Sequence, residues 1–231
     1  MSLSDFPKFA IVVAGGSGSR MQATLPKQFL PLAGEPVLMR TIRCFADYDA
    51  SMEIMVVLPS AQLETWQQLC KAQGFRIPHQ QVAGGETRFQ SVKNGLSALA
   101  QAPDGVVAVH DGVRPLVSTA ILANAFATAH ALGSAVVAVS LKDSIRQVTG
   151  ARSEAVDRNA YRLVQTPQCF RLPLLRRAYE QPESHLFTDD ASVVEKFGHR
   201  IQLVEGSYRN IKLTTPEDML LAEVFLHAEP E

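Results

Sequence analysis

The stretch Phe9–Gln28, FAIVVAGGSGSRMQATLPKQ, decides the reading of this chain. Phe9 to Ala14 form a short apolar, β-rich run that passes straight into a glycine-rich turn, the pattern of a buried strand whose end bends sharply. Gly15, Gly16 and Gly18 stand close enough together for backbone N–H groups to turn inward on an anion without side-chain obstruction. Arg20 and Lys27 follow at a spacing that lets both side chains reach one triphosphate, where their charge would stabilise the transition state of phosphoryl or nucleotidyl transfer. A plain turn with two solvated basic residues has the same composition, so the loop alone is consistent with either. Two rival phosphate motifs fail. The dinucleotide fingerprint GxGxxG finds Met21 at its third glycine, and a Walker A loop requires a lysine where Ser19 follows Gly18.

Outward from this stretch, similar runs recur at Glu53–Leu58, Gln80–Ala83, Val106–His110 and Ser134–Ser140, with helical spacing between them. Phe89, Val92, Leu96 and Leu99, for example, fall on one helical face. The alternation predicts an α/β fold: a Rossmann-like, mostly parallel sheet with helices on both faces and functional loops at the carboxyl ends of the strands. After Lys142 the rhythm breaks. Residues Asp143–Asn159, DSIRQVTGARSEAVDRN, alternate polar and apolar around Thr149-Gly150 and predict a β-hairpin. With few large apolar residues it cannot bury itself, which suits an arm laid on a cleft or on another subunit. Helices are expected at Leu172–Tyr179 and Asp189–Phe197, a strand at Ile201–Glu205, and a last helix opening at Thr215 with Pro216 in its first position. The expectation is one domain over residues 1–231, with the arm inserted at about 141–165.

A chain of 231 residues with 46% hydrophobic and 19% charged residues has the composition of an ordered globular protein. Its formal charge of −1 supplies no basic field for nucleic acid or an anionic membrane, so any phosphate must be met locally. Cys44, Cys70 and Cys169 form no CxxC pair and read as reduced core thiols. No apolar run approaches a spanning length, and FAIVVA is too short for a signal peptide, so a cytoplasmic protein is expected.

Several further motifs carry chemistry. Gly84-Gly85 precedes a helix bearing Glu86, Arg88 and Ser91, whose first N–H groups face the cleft; a simple left-handed turn is the commoner use of such a pair. The strand VVAVHD ends in Asp111, followed by Gly112 and Arg114. An acid there suits Mg²⁺ or a substrate hydroxyl, against the alternative of an Asp–Arg surface pair. His110 is expected to pack or hydrogen-bond at the strand end. Arg158, Thr166, Thr188 and Lys212 are individually weak, but together they make a set suited to a second phosphate bearing a polyol. Asp189 and Asp190 read as acids complementing a helix start.

Taken in order, AGGSGSRM with PKQ, GGETRFQSV, HDGVRP, DRN, QTPQ, TDDAS and NIKLTTPED closely resemble the motifs of the 2-C-methyl-D-erythritol 4-phosphate cytidylyltransferase family over nearly the whole chain. The resemblance implies transfer of CMP from CTP to that polyol phosphate with Mg²⁺, in non-mevalonate isoprenoid synthesis. By motif match, Arg20 and Lys27 would stabilise the transition state, and Arg158 and Lys212 would position the attacking phosphate. Ala14, Gly15, Gly16, Ser17, Gly18, Gly85, Glu86, Arg88 and Ser91 would bind CTP. Asp111, Gly112, Arg114, Ser144, Thr166 and Thr188 would surround the acceptor, with Asp111 a possible metal ligand. The resemblance also implies a homodimer whose exchanged arms bring Arg158 to the partner's site. The chain departs from the family's frequent residues at Gly112, Glu86 and Ser144. The rivals are a cytidylyltransferase for ribitol 5-phosphate or a related alditol phosphate, a non-catalytic nucleotide-binding protein, and a nicotinamide-dependent oxidoreductase.

Overall fold

The first strand, β1 (Lys8–Val13), lies inside a seven-stranded sheet in a computed structural model that describes residues 6–15 and 25–228. A short hairpin of β2 (Pro31–Leu32) and β3 (Glu35–Pro36) leads into α1 (Val37–Tyr48). Then come β4 (Glu53–Leu58), α2 (Leu63–Ala72), β5 (Gln80–Ala83), α3 (Arg88–Ala98), β6 (Val106–Asp111), α4 (Thr119–Leu132) and β7 (Ser134–Ser140). The exposed hairpin of β8 (Ile145–Thr149) and β9 (Arg152–Val156) follows, then β10 (Arg162–Arg171), α5 (Leu172–Ala178), α6 (Asp190–Lys196), β11 (Leu203–Glu205) and α7 (Pro216–His227).

The sheet order is β11-β7-β10-β6-β1-β4-β5, parallel except that β10 runs antiparallel to both its neighbours. Alternate side chains of each strand feed opposite faces. Ala10 and Val12 of β1, with Ile54 and Val56 of β4, pack under α1, α2 and α4 through Leu38, Ile42, Phe45, Trp66, Leu122 and Phe126. Phe9, Ile11, Met55 and Val57 face the other way, against Phe89, Val92 and Leu96 of α3 and the apolar sides of α5 and α6. The face expected for α3 is thus the face it buries. Gly95 lets this helix sit close: a Cβ there would lie 2.7 Å from Cγ2 of Ile11.

The hairpin is present as expected, but its extent is narrower than the arm marked out in the sequence. Residues 162–165, counted there with the arm, already belong to β10. That central strand escapes sequence reading because Pro167 cannot donate to a ladder and argues against an interior position. The structure accommodates it with a register shift between Val164 and Gln168 against β7. The strand expected at Ile201 begins at Leu203. Among the described residues no helix is long and apolar enough to cross a membrane.

Candidate active site

The chain moves outward from β1 through β4 to β5 and then returns across β1 to β6, and a crevice opens at such a reversal, beyond the carboxyl ends of the strands. Backbone bonds lock those ends together: Ala14 N–H donates to Val57 O at 2.9 Å, Gly84 N–H to Leu58 O at 2.7 Å and Gly112 N–H to Val13 O at 2.8 Å. The resulting cleft, about 470 Å³, is lined by Ala14 and Gly15 after β1, Gly85 to Arg88 and Ser91 around the start of α3, and Lys27, Asp111 and Lys212.

Each of these is held by local chemistry. Gln28 is fully buried, and its Nε2 donates both to Ala14 O at 2.9 Å and to Gln62 Oε1 at 2.5 Å. This pins the short 3₁₀ turn Lys27–Phe29 against the end of β1 and so sets Lys27 at the cleft. Thr87 caps α3, its hydroxyl accepting from Gln90 N–H at 3.1 Å, a contact of about 1 kcal/mol. Ser91 Oγ accepts from Gly85 N–H at 3.1 Å and donates to Thr87 O at 2.9 Å, which fixes the glycine turn over the helix start.

At the foot of the cleft Asp111 is nearly buried, and one carboxylate oxygen meets Lys212 Nζ at 3.0 Å and Arg114 Nε at 3.2 Å. Burial pushes this carboxyl up, but Lys212, Arg114 and Arg88 together hold it down at about 2. The Asp111 backbone N–H is satisfied by Thr166 Oγ1 at 3.0 Å. Lys212 arrives because Leu213 is buried against Val113 and Leu32, and its N–H donates to Val113 O at 2.9 Å; its neighbour in the extended segment then faces the cleft. His110 is fully buried, edge-on to Phe45, with Nε2 3.1 Å from Arg114 O. Burial lowers its imidazole to about 4, so it stays neutral and packs, as expected from its place at the strand end.

The structure gathers Ala14, Gly15, Lys27, Gly85, Glu86, Arg88, Ser91, Asp111 and Lys212 around this one cleft. Gly16, Ser17, Gly18 and Arg20 lie outside the described residues. Other expected contacts sit elsewhere in the fold. Arg114 reaches inward, its Nη1 donating to Asn210 O at 2.7 Å, and it braces the Lys212 segment rather than lining the cleft. Gly112 lies beneath the Ala14 backbone, where a Cβ would come within 2.8 Å of Ala14 Cβ; this chain's geometry therefore uses the glycine as a floor. Thr166 is buried behind Asp111, while Thr188 and Ser144 are exposed outside the lining. Arg158 is exposed at the base of the hairpin and donates to Lys142 O of its own chain.

Asp189 caps α6, accepting from Ser192 N–H at 2.9 Å, and Asp190 stands in that helix's first turn, so both are helix-start acids as expected, but Asp190 also has a tertiary partner. It is fully buried and pairs with Arg88 at 2.5 Å. Sequence reasoning also missed Gln62 and Pro59 on the cleft wall, since nothing in PSAQ marks them beyond following a strand. Among the described residues no three His, Cys, Asp or Glu side chains come together as a metal cage. Asp111 and Glu86 are the carboxylates lining the cleft, a donor set that fits Mg²⁺ only as an accessory to phosphate oxygens, the way this ion is commonly held.

The sequence profile of the family described as IspD, 2-C-methyl-D-erythritol 4-phosphate cytidylyltransferase, matches residues 9–228. The chain is 50% identical to the 2-C-methyl-D-erythritol 4-phosphate cytidylyltransferase of Bacteroides fragilis over 217 residues, covering 94% of this chain and 98% of that protein. Its fold is similar to the crystal structure of 4-diphosphocytidyl-2C-methyl-D-erythritol synthase from Anaerococcus prevotii, with TM-score 0.81 and 26% identity over 96% of this chain and 99% of the other. The cytidylyltransferase of Thermus thermophilus aligns with TM-score 0.74 and 32% identity, over 97% of this chain and all (100%) of that one.

Proposed function

The chain belongs to the 2-C-methyl-D-erythritol 4-phosphate cytidylyltransferase family and carries out CTP-dependent cytidylyl transfer to that acceptor in isoprenoid biosynthesis, and we propose that the cleft at the ends of β1, β4, β5 and β6 is where the transfer occurs. The observation that carries the assignment is the convergence on one cleft of Lys27, the capped start of α3 and the Asp111–Lys212 pair.

In the transfer, an oxygen of the acceptor's phosphate attacks the α-phosphorus of CTP, a new P–O bond forms, and the bond to the β-phosphate breaks to release pyrophosphate. The attacking phosphate is already anionic, so the reaction needs no general base; alignment and charge neutralisation supply the rate. Gly15, with Gly16, Ser17 and Gly18 after it in the sequence, is assigned to the triphosphate, Lys27 and Arg20 to the charge building on the transferred and leaving phosphates, and Gly85, Glu86, Arg88 and Ser91 to the nucleotide. Lys212, tethered to Asp111, steers the acceptor's phosphate, with Thr188 and Ser144 contacting the acceptor from outside the cleft wall. Arg114 and Thr166 act behind Asp111 by fixing its carboxylate and backbone. Asp111 would be the protein's contribution to holding Mg²⁺, and the ion would supply further charge neutralisation on the leaving pyrophosphate.

Arg158 is assigned to the cleft of a second copy of the chain. Its hairpin is exposed along both strands and cannot bury itself, which suits an arm exchanged in a homodimer. The test of the activity is pyrophosphate release from CTP with each acceptor in turn. Turnover with methylerythritol phosphate and little with ribitol 5-phosphate is expected; the reverse preference would move the protein to the alditol phosphate reading.

A further inference from the structure

Arg88 lines the cleft with about a third of its side chain exposed, and it does not hold its position alone. Its Nη2 donates to Asp190 Oδ2 at 2.5 Å across 102 residues of sequence. The other carboxylate oxygen of Asp190 accepts from the Tyr179 hydroxyl at 2.6 Å. Asp190 itself is fully buried. A buried carboxylate with one charged and one neutral donor is compensated and has a single preferred geometry, whereas the same group with either donor removed is costly.

The mount beneath Asp190 is equally fixed. Gln168 of β10 donates through Nε2 to Asp189 Oδ2 at 2.9 Å and accepts through Oε1 from Ala191 N–H at 2.9 Å, bracketing Asp190 from both sides. The capping box of Asp189 and Ser192 closes the turn. Tyr179 stacks on Phe89, the residue after Arg88, with ring centroids 4.7 Å apart. A guanidinium is a planar fork, so anchoring one of its nitrogens to a rigid oxygen sets the orientation of the remaining donors.

We propose that Asp190 is a positioning residue for the donor half of the site: with Tyr179 behind it, it fixes the orientation in which the Arg88 guanidinium meets the nucleotide. The carboxylate touches neither substrate and acts through Arg88. Because Asp190 follows Thr188 and Asp189 directly, the same ion pair joins the helix assigned to the nucleotide to the turn that carries Thr188. This inference rests on the assignment of Arg88 to CTP.

The experiment is a double-mutant cycle on CTP affinity, measured by calorimetry on the full chain, with thermal melting as the check on folding. Arg88→Ala is expected to weaken CTP binding at least tenfold. Asp190→Asn, which keeps the shape and removes the charge, is expected to weaken it about fivefold to tenfold and to raise the KM for CTP more than it lowers kcat. The double variant should bind no worse than Arg88→Ala alone, because Asp190 has nothing left to orient. Losses that multiply in the double variant, or unchanged affinity in a folded Asp190→Asn, overturn the positioning role. Unchanged affinity in Arg88→Ala instead overturns the placement of the nucleotide. Where Asp190→Asn does not fold, Tyr179→Phe removes only the second donor: a twofold to threefold loss of CTP affinity supports the role, and wild-type affinity overturns it.

Discussion

The cleft and the hairpin are built on opposite principles. Around the cleft nearly every polar group is spoken for: Asp111 by Lys212, Arg114 and Thr166, Arg88 by Asp190, Ser91 by Gly85 and Thr87. Ala14, Gly85 and Asp111 stand at the carboxyl ends of parallel strands, of which β1, β4 and β6 are buried along nearly their whole length. Along β8 and β9, by contrast, almost every residue is exposed, Val148 to 69%, and the pairing of the two strands is the main internal support. The donor site proposed for the cleft and the acceptor contact proposed for the arm therefore predict different sensitivities to mutation. Changes at the cleft should act on chemistry or on stability through named partners, and changes on the arm should act through whatever the arm meets.

Lys27→Ala should test the cleft most severely. Turnover is expected to fall by about 10²- to 10³-fold while stability changes by less than about 1 kcal/mol, because the side chain is half-buried at a turn and adds little to the core. Equal damage to kcat and to melting temperature would remove its assigned role. Arg158→Ala is next, with an expected loss of about 10- to 100-fold, and its informative form is a mixture. If arms are exchanged, co-refolding Lys27→Ala with Arg158→Ala creates one intact site in every mixed dimer and restores about a quarter of wild-type activity. No recovery would return Arg158 to its own chain.

A pH titration of stability probes the floor of the cleft. His110 ionises at about 4 in the folded chain and near 6.5 when unfolded, so the unfolded state binds the proton first as pH falls. Its contribution is therefore complete above about pH 6.5 and is lost progressively as pH falls through 4, amounting to about 2 kcal/mol between pH 8 and pH 5. Urea titrations of wild type and His110→Gln should show that slope reduced in the variant; identical slopes would mean that some other group sets it. Smallest of all, Val148→Thr should shift the melting stability of the isolated chain by no more than about 0.5 kcal/mol, since the side chain packs on little. A larger loss that grows with protein concentration would mean that the hairpin is covered.

The parts of the fold that followed from local pattern were legible in the sequence. Strands β4, β5 and β7 coincide with the runs read for them, α3 buries the face its spacing defines, and α7 begins at its hydroxyl cap. Strand β10 was not legible, because Pro167 contradicts the very position the strand occupies. At the site, Asp111 and Lys212 could each be singled out by type and by place at the end of a run. Their contact could not be foreseen, and neither could the burial of Asp190, whose acidity at a helix start has a simpler local explanation.

The sequence by itself determined the α/β alternation and the inventory of cations and acids, because these depend on periodicities of a few residues and on side-chain chemistry. Only the tertiary structure decided which of them meet. Arg114 turned inward to brace Asn210, Gly112 became a floor under Ala14, and Asp190 came to hold Arg88 from 102 residues away. The pairing of buried charges is set by the order in which strands are laid into a sheet, and no short-range pattern encodes that order.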